Sequence, residues 1–318
     1  MEEVKEVKEV KRVKKGKLSA KRRWHWFGIF GFSYLTVYVI VLFTLLGWAF
    51  VKSIHQFDDF ILSGASATSW PNEFSFESYK QVLTVIKYKV RDTSGELHTV
   101  YMFEMVVNSL LYAAITTIVH LVTVISMAYV TAKYNFKFNK VIIGLFYFQM
   151  LVPIVGTMSA GLKLQMELGL FDTWLGVGVQ HLHYFGGVTF LIYYDAFKKL
   201  SDGYSEAAKI DGAGHYRIMF SICFPLVKAL WMMGIMTDVI AAWNNYSTPL
   251  VYLPSYPTVA YGLYIFNQAK SGGEMSKFAY IPYKLAGFML LLLPTTLFFL
   301  IFKEKMLGAT TTGGGLKE

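Results

Sequence analysis

Residues 206–225 read Glu206-Ala207-Ala208-Lys209-Ile210-Asp211-Gly212, then nine residues to Ile222, then Phe224-Pro225. Alanine, glutamate and lysine are good helix formers, so Glu206 to Ile210 predicts a short helix. Asp211-Gly212 is a turn signal that ends it. Gly212 and Gly214 let a second short helix start close by. Pro225 stands where a longer helix should begin, a position at which its missing N–H costs nothing. The stretch therefore predicts a two-helix elbow, small-residued on one side and shaped to enter a cleft of another protein.

Apolar runs lie on both sides of this elbow. His183–Phe197, which extends back toward Val177, precedes it, and Leu226–Trp243 follows it. Further runs are Phe27–Val51, Val106–Thr131, Val141–Leu162 and Leu285–Phe302. A bilayer core of about 30 Å needs about 20 helical residues, so the six runs predict an all-α polytopic membrane protein with six transmembrane helices. The composition agrees: 54% of the 318 residues are hydrophobic, only 16% are charged, and the mean hydropathy is +0.42. A soluble domain carries about 25% charge. Disordered, collagenous and soluble nucleic-acid-binding classes are excluded. The single cysteine, Cys223, excludes an intrachain disulfide and a thiolate metal cluster and reads as a small buried filler.

The net charge of +9 is a matter of placement, since ten of the thirty basic residues precede Trp24. With six alternating spans, that arm falls on one side together with Lys133, Lys137 and Lys140, then Lys198, Lys199, Lys209 and Arg217, then Lys303 and Lys305. The positive-inside rule makes that side cytoplasmic and puts both termini and the elbow there. The arm has valines at 4, 7, 10 and 13, too regular at three for a sustained helix face, and reads as a basic segment drawn to anionic lipid. A signal peptide is the competing reading, with Ala65-Ser66-Ala67 as its cleavage site. The first run is longer than the usual h-region of about 7–15 residues, and the site lies well past its end. The expected organisation is an arm over 1–26, a first span over 27–51, an extracytoplasmic segment over 52–103, a permease core over 104–303, and a tail over 304–318. Within that core, 198–225 is the elbow loop and 247–282 an outward loop. In the outward segment, Trp70-Pro71-Asn72 with Phe74, Phe76 and Tyr79 predicts a small folded cap or docking surface. Pro249, Pro254, Pro257 and Ser271-Gly272-Gly273 make the later loop irregular rather than another span.

The elbow resembles the EAA loop of permease subunits of binding-protein-dependent ABC importers, with every spacing kept and only the leucine before the proline replaced, by Phe224. Asn108-Ser109-Leu110, Ala128-Tyr129 with Ala132-Lys133, Gln149-Met150 with Pro153, Leu168 to Thr173, and Trp243-Asn244 with Pro249-Leu250 extend the likeness over about two thirds of the chain. Within the family it is similar to the carbohydrate-uptake group, in particular the maltose-type second permease. Departures are Ser201 where the family has proline, Phe185-Gly186-Gly187 where it has Leu-Pro-Phe, and a tail in which Gly308-Ala309-Thr310 leads to Gly313-Gly314-Gly315-Leu316-Lys317 where the family has Gly-Ala-Val-Lys-Gly. The last puts a tail contact with an ATPase in doubt. The resemblance implies a second permease as heterodimer partner, an ATP-binding subunit dimer, an extracellular solute-binding protein, and a bacterial or archaeal cytoplasmic membrane. The substrate implied is a carbohydrate, an oligosaccharide in the first instance. No Gly-x-x-x-x-Gly-Lys-Ser/Thr motif occurs, so ATP and magnesium are expected on the partner ATPase, with no cofactor and no catalytic residue on this chain. A phosphorylated polyol as solute, and a secondary transporter with coupling charges near the midplane, are the alternatives. Asp211-Gly212 with Arg217 is faintly similar to a CDP-alcohol phosphotransferase start, but the further aspartates for two metals are missing.

For coupling to the ATPase the resemblance singles out Glu206, Ala207, Ala208, Asp211 and Gly212. Glu206 either holds the elbow, pairs with a partner's base, or simply favours the helix start by about 0.3–1 kcal/mol. Ala207, Ala208 and Gly212 read as close-packing positions. Asp238 lies inside an apolar run, where a charge costs about 2.5–3.5 kcal/mol on insertion scales. It therefore faces an aqueous cavity or a partner: sugar hydroxyls or a gate in one reading, a structural bond to a neighbouring helix in the other. Trp243, Asn244, Asn245 and Tyr246 offer rings and amides suited to a sugar, and equally a membrane-interface belt. His120 reads as a hydrogen-bonded packing residue. His181 and His183 fall on different helix faces, with no carboxylate to complete a metal set.

Overall fold

The computed structural model describes residues 26–64, 66–91, 95–152, 156–182, 187–268 and 280–312. The basic arm, Ala65, Pro153, His183, Phe185-Gly186, Ser271-Gly272-Gly273 and the last six residues lie outside the described residues. The chain divides into two compact units, one ending at Val51 and the other running from Lys52. The first contains most of helix α1 (Trp26–Ser53), which is apolar on every side. Such a helix is at home in lipid.

The second unit opens with a small cap: α2 (Phe57–Leu62), α3 (Glu77–Val85) and the antiparallel hairpin β1 (Lys87–Arg91) and β2 (Leu97–Tyr101). Asp59 organises its first loop. Its carboxylate accepts the backbone N–H of Asn72 at 2.7 Å and of Glu73 at 3.2 Å, the Asn72 side-chain amide at 2.9 Å, and His55 Nε2–H at 3.0 Å. These bonds to the ionised form hold the Asp59 carboxyl down at about 2. Burial and the nearby Lys52 charge push His55 below its ordinary value against the pull of Asp59. In the hairpin, Val90 and Val100 point into the core and their neighbours point out, the alternation a half-buried strand requires. They meet Val82, Met105, Trp243, Leu263 and Tyr283 in one cluster. Each fully buried apolar side chain in this segment contributes about 1.5–3 kcal/mol.

The helical bundle then runs through α4 (Met102–Lys133), α5 (Asn139–Leu151), α6 (Thr157–Glu167), α7 (Trp174–Leu182) and α8 (Gly187–Lys199). The elbow follows as α9 (Gly203–Ile210) and α10 (His215–Ile218), continued by a π-helical turn (Met219–Cys223) and α11 (Phe224–Leu226). The chain closes with α12 (Lys228–Asn244), α13 (Ser247–Tyr252), α14 (Val259–Asn267) and α15 (Ile281–Thr312). Among the described residues, three helices are long and apolar enough to cross a membrane: Gly28–Ser53, Met102–Lys133 and Ile281–Glu304. A fourth is the pair His215–Leu226 and Lys228–Asn244, bent by 80°.

Two expected runs differ from continuous spans. Val141–Leu162 is divided, because Val152 before Pro153 is extended and Gly156 takes φ +84°. A residue before proline avoids the helical region, and apolar content does not change that. The run toward Phe197 is likewise two elements, α7 and α8. Pro225 does not open the long helix but lies inside α11, and the bend comes two residues later at Val227. There the Trp231 indole N–H donates to the Phe224 carbonyl at 3.2 Å and satisfies the broken ladder. The loop 247–282 contains α13 and α14, both too short to span. Asn108 donates to the Pro257 carbonyl at 3.2 Å, and Ser109 Oγ accepts Val259 N–H at 2.8 Å, so α4 pins that loop.

Candidate functional site

The elbow turn is a Schellman motif built on α9. The Gly212 N–H donates to the Lys209 carbonyl at 3.0 Å and the Ala213 N–H to the Ala208 carbonyl at 2.9 Å. Gly212 has φ +76°. This left-handed conformation is the reason for glycine there. A Cβ at Gly212 would meet nothing within 4 Å, so close packing inside this chain is not the reason. Ala208 is the elbow residue that packs inward, against a core containing Tyr129, Phe197, Ile218 and Cys223. Glu206, Ala207, Asp211 and Gly212 are exposed. The Glu206 carboxylate has no partner among the described residues. Beside them Ile210 is 87% and Tyr216 79% exposed. Neither was singled out from sequence, although an isoleucine between Lys209 and Asp211 on an eight-residue helix was a visible signal.

Two contacts bolt the elbow to the end of α4. Lys133 Nζ donates to the Leu200 carbonyl at 2.6 Å and pairs with Asp202 at 2.7 Å. The Lys133 hydrogen bond and charge hold the Asp202 carboxyl below its ordinary value. Tyr134 OH and His215 Nδ1 share a 2.8 Å hydrogen bond. The elbow therefore follows α4 at its entry and at its second helix, and runs into α12 through the 80° bend.

Inside the bundle α4 and α12 meet at a polar pair, where His120 Nδ1–H donates to Asp238 Oδ2 at 2.7 Å. Of the two readings of Asp238, the bond to a neighbouring helix is present, and its side chain keeps 23% exposure. One turn away Gly234 makes room for its neighbours: a Cβ there would strike Tyr193 Oη and come within 2.9 Å of Leu121 Cδ2. Small residues let membrane helices approach this closely. Beside the pair a groove of about 790 Å³ is lined by Ile118, Val122, Phe220, Phe224 and Trp231 with Thr117 and Lys228. So apolar a wall has little to offer sugar hydroxyls.

The four residues after Asp238 that sequence grouped together do separate work. Trp243 is buried in the cap core and its indole N–H donates to the Leu291 carbonyl at 3.1 Å, a packing role. Asn245 lies just before α13, its Oδ1 accepting Thr248 N–H at 3.1 Å and its amide reaching Thr248 Oγ1 at 3.0 Å. Asn244 is exposed and donates to the Ile240 carbonyl at 2.8 Å. Tyr246 stacks on Tyr264 at 4.2 Å. His181 Nδ1–H donates to the Val177 carbonyl at 2.8 Å.

These features define a helical membrane protein organised around an exposed two-helix elbow braced against its longest internal helix. Residues 121–305 match the family model described as binding-protein-dependent transport system inner membrane component. The chain belongs to that family. It is 31% identical over 216 residues to the maltodextrin transport system permease protein MalD of Streptococcus pneumoniae, covering 65% of this chain and 72% of that one. The maltodextrin permease MdxG of Bacillus subtilis is 29% identical over 215 residues, covering 65% and 73%. The galactooligosaccharides permease GanQ of Bacillus subtilis is 26% identical over 295 residues, covering 89% and 94%. A chain in the crystal structure of a bacterial ABC transporter involved in import of the acidic polysaccharide alginate superposes with a TM-score of 0.70 at 19% identity, covering 89% of this chain and 98% of that one. It shares the fold.

Proposed function

We propose that this chain is a permease subunit of an ATP-driven importer, forming with a second, related permease the path for a carbohydrate delivered by an extracellular binding protein. The observation that carries the reading is the exposed elbow at Glu206–Gly212, fixed at its turn and tied to α4 at two points. The maltodextrin and galactooligosaccharide names of its relatives support a carbohydrate. Basic residues clustered on one predicted side support six spans with both termini and the elbow in the cytoplasm of a bacterium or archaeon.

In this reading ATP and magnesium are held by separate subunits, whose cleft receives Glu206, Ala207, Asp211 and Gly212. Ala208 holds the elbow to its own core. When the ATPase dimer closes, the load passes through Lys133–Asp202 and Tyr134–His215 into α4, and through the Val227 bend into α12. These helices meet at His120–Asp238, where displacement of one against the other is resisted. Nucleotide biases the change only by binding one of two packed states better than the other, and the loaded binding protein acts by the same rule. The test is purification of the tagged chain in detergent beside Gly212→Trp, with an ATPase assay. Wild type is expected to bring down an ATPase and a second permease, and the variant to lose the ATPase. Wild type that purifies alone and still moves solute in liposomes would replace the importer with a secondary transporter.

A further inference from the structure

The cap carries a pocket of about 480 Å³ between the start of α2, the first turn of α3 and the start of α15. Asp58, Glu77, Ser78, Phe57 and Tyr283 line it, with Gln81 among the polar residues of its wall. Gln81 fixes one carboxylate: its amide donates to Glu77 Oε1 at 3.1 Å while its oxygen accepts the Tyr283 hydroxyl at 3.1 Å. Among the described residues neither Asp58 nor Glu77 has an ion-pair partner, and no lysine, arginine or histidine lines the pocket. The Phe57 and Tyr283 rings stand 5.3 Å apart, tilted by 44°. Ser78 is a separate observation. It is 3% exposed, yet it lines the pocket and its hydroxyl has no hydrogen-bond partner among the described residues. The residue is buried but its oxygen is not among the fully buried polar atoms that lack a partner, so it opens on the pocket and can meet an incoming polar group.

Two carboxylates without a base, a spare hydroxyl and two aromatic faces suit an organic cation on an apolar stem. The stem packs on the rings, the head meets the carboxylates, and the ring faces attract the charge. A neutral solute would gain no charge attraction from the two exposed carboxylates. We propose that this pocket receives a lysine or arginine side chain of the solute-binding protein as it docks. The proposal rests on the importer reading, which places the cap outside the cell, and names one contact of that docking.

The test uses the complete transporter in nanodiscs, with the partner permease, the ATPase and the binding protein. ATPase stimulation is titrated with binding protein at several salt concentrations. Compared are wild type, Asp58→Asn/Glu77→Gln, and Glu96→Gln, which removes a carboxylate outside the pocket. The double variant is expected to raise the half-saturating concentration about tenfold at low salt. Its maximal rate should be unchanged and its salt dependence flatter, because exposed charge attraction is screened. Glu96→Gln should titrate like wild type. Asp58→Asn alone, which removes no hydrogen bond among the described residues, keeps the test available if the double variant fails to assemble. A variant that titrates like wild type at every salt concentration overturns the proposal. So does a change in basal ATPase without a shift in half-saturation, which would assign the pocket to a free cation. Wild type that the binding protein never stimulates overturns the importer reading itself.

Discussion

Replacing Gly212 separates two explanations of the elbow's glycine. Its φ of +76° lies in the left-handed region, which costs an ordinary L-residue roughly 1–2 kcal/mol. No neighbour lies within 4 Å of a Cβ at that position, so within this chain the whole cost is conformational. That energy lowers the population of the formed turn by a factor of about 5–30. Asparagine tolerates this conformation better than alanine, and valine tolerates it worse. The expected order of turn stability is therefore Gly, Asn, Ala, Val. Hydrogen exchange at the Gly212 and Ala213 amides reads it directly, since both close the turn onto Lys209 and Ala208. ATPase capture by the same series should fall in the same order. Equal exchange in Gly212→Ala and wild type would refute the backbone argument. Capture lost equally in Asn and Ala, with the turn intact, would return the glycine to a space requirement in the partner.

Three further outcomes follow from the packing. Lys133→Met should detach the elbow from α4 by losing the charged donor to the Leu200 carbonyl, about 1.5–3 kcal/mol. ATPase capture should persist while transport per ATP falls; Asp202→Asn, at an exposed carboxylate, should do far less. Gly234→Ala should overpack the α4–α8–α12 contact by about 1–3 kcal/mol. Adding Tyr193→Phe should recover part of the loss in a thermal-denaturation series, because the clash is with the phenol oxygen. In the cap, acid should act in two stages. His55 is depressed below its ordinary value of about 6.5, so its contribution is full above that pH and is lost as pH falls below it. Asp59, held at about 2, contributes above the unfolded carboxyl value of about 3.9 and loses that contribution as pH falls through 2. Exchange of the Asn72 and Glu73 amides, which both donate to Asp59, should quicken over these two windows.

The elbow was legible because its signals are local. Asp211-Gly212 breaks a helix wherever it occurs, and the break lies at those residues. The divided run at Val141–Leu162 was not, because apolar content measures affinity for lipid and not backbone continuity. Pro153 and Gly156 held that information in plain view. Asp238 illustrates the other limit. Insertion cost announces that a partner exists, but the partner, His120, is 118 residues away and only packing of α4 on α12 brings it near. Lys133 likewise reads as a topology residue, and His215 carries no signal of its own, until the fold puts them against Asp202 and Tyr134. Trp243 misleads for the opposite reason. Its side chain suits an interface belt and a sugar alike, and burial against Leu291 decides for neither.

The central claim is that this elbow is the docking point of an ATP-hydrolysing partner. A photocrosslinking residue at Ile210, 87% exposed on the elbow's outer face, tests it most directly in native membranes. The account predicts a single dominant adduct with an ATP-binding subunit, weakened when the Gly212 turn is destabilised. An adduct with a protein that binds no nucleotide, or none beyond lipid, would contradict it.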